Sequence, residues 1–211
     1  LVGLDKTTAG TTTLSGTNTY TGTTTVSAGN LNLNSAGTAI AGNLTVAGGT
    51  ATLQAADQIA DGKNVVVTSG TLDVASFNDT VNGVQITGGT ITGTTGALTS
   101  TTAFDLQAGT VSAILGGTAG ANKTTAGTVT LSKTNTYTGV TTVSAGTLTL
   151  GHATNTLADA STVVVSGGTL DLGGNADTVA GVQQTGGTIQ NGTLTSTTAF
   201  DMQAGTASAN L

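Results

Sequence analysis

The 211 residues include no cysteine, proline, tryptophan, arginine or glutamate. Without cysteine there are no disulfide staples and no thiol chemistry. Without proline every residue keeps its backbone N–H, which suits unbroken hydrogen-bonded strands. Aromatic residues make up only 2% of the chain, so any core must be aliphatic. Positive charge is confined to Lys6, Lys63, Lys123 and Lys133, against ten aspartates, for a net charge of −6. Four scattered lysines cannot neutralise a run of phosphates, which excludes nucleic acid as a partner. No apolar run reaches about 18 residues, and there is no signal-peptide pattern, so no membrane span is expected in this segment. No apolar stripe of helical period is present either.

What the chain does contain is glycine and threonine in a fixed rhythm. A glycine followed by Thr, once by Asn, heads a short alternating run at Gly10, Gly29, Gly49, Gly70, Gly89, Gly109, Gly127, Gly146, Gly168, Gly187 and Gly205. The spacings run from 18 to 22 residues and leave no stretch for a separate domain. A disordered Gly/Thr/Ser chain has no need to keep its Leu, Val and Ile in phase, as this one does. A longer repeat lies on top. TNTYTG at 17–22 recurs at 134–139, VVV at 65–67 recurs at 163–165, and STTAFD at 100–105 recurs at 196–201. The offset falls from 117 to 98, which is one period of 19. The chain is therefore expected to be one solenoid over 1–211, with internal units 1–117 of six turns and 118–211 of five. The extra turn lies around Ala39–Ala56.

Each turn divides into strands. In Gly127-Thr128-Val129-Thr130-Leu131 side chains alternate, so Val129 and Leu131 face inward and the threonines outward. The same phase puts Leu31/Leu33, Leu72/Val74, Leu148/Leu150 and Leu170/Leu172 inside. A second strand before each glycine turns Leu44/Val46, Val65/Val67, Val84/Ile86, Phe104/Leu106, Val163/Val165 and Phe200/Met202 inward. The glycine between them marks a corner. The Asn/Thr/Gly-rich remainder, such as Lys133–Gly139, reads as an outer bend and a short third side. Stacked turns pair in parallel, and parallel connections are right-handed. The expected fold is an all-β, right-handed parallel β-helix (β-solenoid) of about eleven turns, each ~19–20 residues. The rod would be ~50 Å long at the usual strand spacing.

GTVTLSKTNTYTGVTTVSAGTLTL (127–150) resembles the autotransporter-associated β-strand repeat, also called the passenger-associated transport repeat. The motif recurs at 10–33 as GTTTLSGTNTYTGTTTVSAGNLNL. The resemblance implies a β-helical stalk within the secreted or surface passenger of a large Gram-negative protein, and a role in export. The family's barrel and leader lie outside this segment. The last residue falls two residues short of the phase at which the chain began. A cut from a tandem array would give that, and so would a subunit that stacks head to tail.

Candidate sites are few. The outward residue after the corner glycine is Thr at Thr11, Thr50, Thr71, Thr90, Thr110, Thr128, Thr147, Thr169, Thr188 and Thr206. Such a ladder favours strand geometry and solubility. As a flat Thr-x-Thr array it would also suit ice binding. Glycan cleavage needs two carboxylates ~5–9.5 Å apart. Asp73 and Asp171, and likewise Asp105 and Asp201, lie five turns apart, ~24 Å by the strand spacing. Asp57, Asp61, Asp73 and Asp79 are closer in sequence, yet all read as solvated loop or face residues. Gly173-Gly174-Asn175-Ala176-Asp177 is similar to one turn of a calcium-binding roll but lacks the nine-residue repeat. His152 stands alone, without the partners of a triad or a zinc site. Tyr20 and Tyr137 hold one repeat position and are expected to cover their own bends.

These residues imply no enzyme, no cofactor and no metal. The expected function is a structural stalk, spacer or filament segment, secreted or on a bacterial cell surface. Its partners are further turns, either from a second copy stacked end to end or from the rest of a longer repeat chain. The alternative is an adhesin that binds a surface glycan or protein, and ice binding ranks below it.

Overall fold

The computed structural model describes residues 2–211. It is a β-solenoid, and no helix occurs among the described residues. One sheet of eleven parallel strands runs the length of the stack, from Leu4–Lys6 through Thr24–Val26, Leu44–Val46 and onward to Gly181–Gln184 and Phe200–Met202. A second begins at Thr11–Leu14 and ends at Thr206–Ala207, with eleven strands in line. Strands alternate between the two sheets along the chain, so each turn adds one rung to both. The third side is less regular. There Asp79–Val81 pairs with the far half of the long strand Thr90–Ser100, and Ala176–Val179 pairs with Thr193–Ser196.

Register follows the side-chain pattern. In the first sheet the inner column runs Leu4, Thr24, Leu44, Val65 and Val84, and later Thr141, Val163, Val182 and Phe200. In the second sheet Thr147–Leu150 stands opposite Thr128–Leu131, stacking Leu148 on Val129 and Leu150 on Leu131. Leu31, Leu33, Val129, Val143, Leu148 and Leu170 are fully buried. Aliphatics of similar size repeated at one spacing make a thin core in which each rung packs on the next. The last turn differs. Phe200 is only half-buried and Met202 is 40% exposed, because no described turn covers them.

The corner glycines accommodate close backbone approach. Gly29 and Gly146 have φ of +65° and +62°, a region that residues with a Cβ resist. A Cβ on either would also strike the corner carbonyls of the turn before.

Candidate functional site

The outward threonines do not form one column. Register joins Thr11, Asn30, Thr50, Thr71, Thr90 and Thr110 in order. At the next rung Thr110 stands opposite Thr130, and Gly109 opposite Val129. Thr128, Thr147, Thr169, Thr188 and Thr206 make a separate column, displaced by two residues. The corner-to-corner distance here, Gly109 to Gly127, is only 18 residues. The ladder instead pairs residues 20 apart. A two-residue step keeps every side chain on its own face, so Val111 still meets Leu131 in the core. The column two residues on is interrupted by Asp73, Asp171 and Gln190.

The third side holds a buried polar column that does not fit a simple outer bend. Asn135 is 1% exposed. Its Oδ1 accepts the Leu115 N–H at 2.9 Å, and its Nδ2 donates to the carbonyls of Lys133 (3.1 Å) and Thr156 (2.9 Å). Gln58 is equally enclosed. Its Oε1 accepts the Ser35 N–H at 2.7 Å, and its Nε2 donates to the carbonyls of Ser35, Gly37 and Ala56. These amides satisfy backbone groups that the irregular third side leaves outside the ladders.

Asp79 and Asp177 occupy equivalent places in that column, at 1% and 2% exposure. The expectation that all the aspartates are solvated therefore fails for these two. Asp79 Oδ2 accepts the N–H groups of Gln58 (2.8 Å) and Ile59 (3.1 Å). Asp177 Oδ2 does the same for Thr156 (2.7 Å) and Leu157 (3.1 Å). The Oδ1 of each is buried without a hydrogen-bond partner among the described residues. On the following rung the register opposes each with leucine, Leu98 and Leu194, which offers no side-chain donor. Burial pushes the Asp79 carboxyl up to about 7 against the two N–H donors, and Asp57 and Asp61 add repulsion. Burial pushes Asp177 to about 6, with Asp159 adding to it.

Two lysines are also inside. Lys6 and Lys123 take the inner position that Val26 and Val143 hold one rung on. Lys123 is fully buried, and its ammonium donates to the Thr125 carbonyl and, at 3.4 Å, to that of Ala145. Lys6 binds Thr8 and Ala28 in the same way. The missing Cβ of Gly29 and of Gly146 leaves room for these amines. Burial lowers the Lys123 amine from its ordinary range. Gln184 fills the inner position later in the stack and donates to Gly187 and Thr206 carbonyls at 3.2 and 3.0 Å.

The other singled-out residues stay apart. Asp105 accepts from Gln85 (2.6 Å) and Gln107 (2.9 Å), and Asp201 from Gln183 (2.8 Å) and Gln203 (2.9 Å), so both serve as polar rungs on the outer face. Burial acts to raise the Asp171 carboxyl, but donors from Gly173, Gln190 and Asn191 outweigh it and hold it below the ordinary range. Asp73 accepts the Ala75 N–H. The His152 ring hydrogen-bonds to threonines, Thr154 O at 2.6 Å and Thr134 Oγ1 at 3.4 Å. No group of three or more His, Cys, Asp or Glu among the described residues is placed to hold a metal ion. Asp177, in the segment similar to a calcium-binding turn, spends its Oδ2 on backbone amides. Tyr137 covers its bend from within. It is fully buried, its ring lies 5.8 Å from that of Phe104, and its hydroxyl meets Thr141 Oγ1 at 2.9 Å. Tyr20 repeats the contact with Thr24 at 2.7 Å. One shallow depression marks the outer face of the first sheet, where Gly83 and Ala103 lie between Val66, Gln85 and Asp105.

The passenger-associated-transport-repeat matches residues 4–33, 122–150 and 145–172. In these three stretches the chain carries passenger-associated transport repeats. The first two matches cover the stretches in which the sequence motif is visible. The third adds a rung, Thr162–Val165 and Thr169–Asp171, where the written motif has faded but the stacking continues. In all three, the repeat spans strands of both sheets and the corner between them. No curated protein and no solved structure matches the chain.

Proposed function

We propose that the chain is a rigid spacer, a stalk or filament piece within a secreted or cell-surface passenger, and that it performs no catalysis. The observation behind this reading is the pair of parallel sheets that continue through all eleven rungs. Rigidity in such a stack comes from cumulative backbone pairing, and length from the number of rungs. The partner is a further turn, supplied by continuing chain or by a second copy stacked end to end. Among the described residues the strands Leu4–Lys6 and Phe200–Met202 each pair on one edge, and the other edge of such a strand is a template for another strand. Electron microscopy at rising concentration tests this. Straight rods of ~50 Å, or filaments one solenoid wide, support the reading, and filaments add self-stacking. Flexible or irregular particles contradict it.

An adhesin that takes a surface glycan or protein is the second reading. It rests on the depression beside Val66, Gln85 and Asp105. Glycan-array binding that is lost in Gln85→Ala would favour it. Ice binding through the threonines is weaker, because the two-residue step splits the array. Thermal hysteresis measures it directly.

A further inference from the structure

The sequence contains two Asn-Gly pairs, Asn82-Gly83 and Asn191-Gly192. A glycine after asparagine leaves its backbone nitrogen free of a Cβ, so it can swing toward the preceding side-chain amide. The two pairs sit in different surroundings. Asn82 is tied into the stack. Its N–H donates to Lys63 at 2.8 Å, its carbonyl accepts from Thr102 at 2.9 Å, and Gly83 stands in the ladder opposite Asn64. Its side chain donates to Asn64 Oδ1 at 2.8 Å.

Asn191 lies between the strands Thr188–Gln190 and Thr193–Ser196, where the chain leaves the second sheet for the third side. It is exposed, with φ of +59° in the left-handed region. The Gly192 N–H has no hydrogen-bond acceptor among the described residues. The Asn191 carbonyl accepts the Gly174 N–H at 2.6 Å, as the Asn82 carbonyl accepts from Thr102, but the Asn191 side-chain amide is held at one point, with Nδ2 donating to Asp171 Oδ1 at 3.0 Å.

We propose that Asn191 is a site of spontaneous deamidation. The Gly192 nitrogen attacks Cγ of Asn191 and closes a succinimide. Its proton leaves with the side-chain nitrogen as ammonia. Water then adds to either ring carbonyl and breaks that C–N bond, giving aspartate or isoaspartate. Either product sets a carboxylate beside Asp171 in place of a donor, removing one of the three groups that hold that carboxyl low. Isoaspartate also lengthens the main chain. Gly192 has no slack to absorb this, since even a Cβ there would meet Asn175 O and Leu172 Cβ. The modification therefore loosens the bend that joins the second sheet to the third side.

Peptide mapping by mass spectrometry tests this, on the folded chain held at mildly alkaline pH and on the same chain in denaturant. In the folded chain Asn191 converts at least about ten-fold faster than Asn82, the factor that each 1.4 kcal/mol of local opening imposes on a ladder-bound residue. In denaturant the two convert at similar rates. Enzymatic methylation of isoaspartate gives a second readout at the same peptide. The proposal is overturned if the two asparagines convert within a few-fold of each other in the folded chain, if Asn82 leads, or if Asn191 stays intact while the denatured chain converts.

Discussion

The two long sheets and the third side obey different rules in the same turn. In the sheets most positions repeat one chemistry: chiefly aliphatic inward, with Lys6, Lys123 and Gln184 as polar exceptions, chiefly Thr outward, and glycine at the corner. On the third side the column changes identity from rung to rung: Gln58, Asp79, Leu98, Leu115, Asn135, Thr156, Asp177, Leu194. Over most of the sheets like meets like. The third side must satisfy irregular backbone with whatever side chain stands there. Where that is an amide, as at Asn135, both ends of the group find partners. Where it is a carboxylate followed by leucine, as at Asp79 and Asp177, one oxygen is left over. Sheet strength is thus spread over many equivalent rungs, while third-side stability depends on a few individual groups.

Substitutions can break or sharpen this contrast. The largest effect belongs to Leu148→Asp, which buries an unpaired charge between Val129 and Leu170. A loss above about 4 kcal/mol is expected, seen as loss of the β-sheet circular dichroism signal at all temperatures. Asn135→Asp comes next. It replaces a donor to Lys133 and Thr156 with an acceptor, and about 2–3 kcal/mol should be lost at neutral pH, measured by denaturant unfolding and smaller in acid. Gly146→Ala forces a Cβ onto a residue at φ +62° and against Lys123, for about 2 kcal/mol. The smallest effect is that of Thr147→Ala on the outer face, within about 0.5 kcal/mol. A large loss there would mean that the outer ladder contributes as much as the core.

The sequence made the sheets legible because their signal is periodic. Gly-Thr-x-Thr-Leu states the corner, the outward threonines and the inward Leu in five residues, and the corner glycines of the remaining turns keep the phase. It also hid three things. The two-residue register step at Gly109–Val129 is invisible, because a shift of two leaves the alternation intact. The buried lysines look in the sequence like surface charge, although Lys6 and Lys123 fall in the phase of Val26 and Val143. The third-side column looked like loop, since Asn, Asp and Gln usually mark bends. A signal for it did exist: Asn-Thr-Tyr recurs at 18–20 and 135–137, and Asp-Thr-Val at 79–81 and 177–179. A solvated bend has no reason to repeat its polar residues in phase.

The most direct test of the contrast is pH. Asp79 and Asp177 have carboxyls raised from 3.8 to about 7 and about 6, so the fold favours their protonated forms. Their contribution to stability is complete below 3.8 and is lost as pH rises through those folded values. The measurement is the denaturant unfolding midpoint of the wild type and of Asp79→Asn/Asp177→Asn, in mild acid and in mild alkali. The wild type should be the more stable in acid, by a few kcal/mol, and the double variant should lose most of that difference by gaining stability in alkali. A wild type equally stable at both, or a double variant that keeps the full slope, would contradict the assignment of the titratable weakness to the third side.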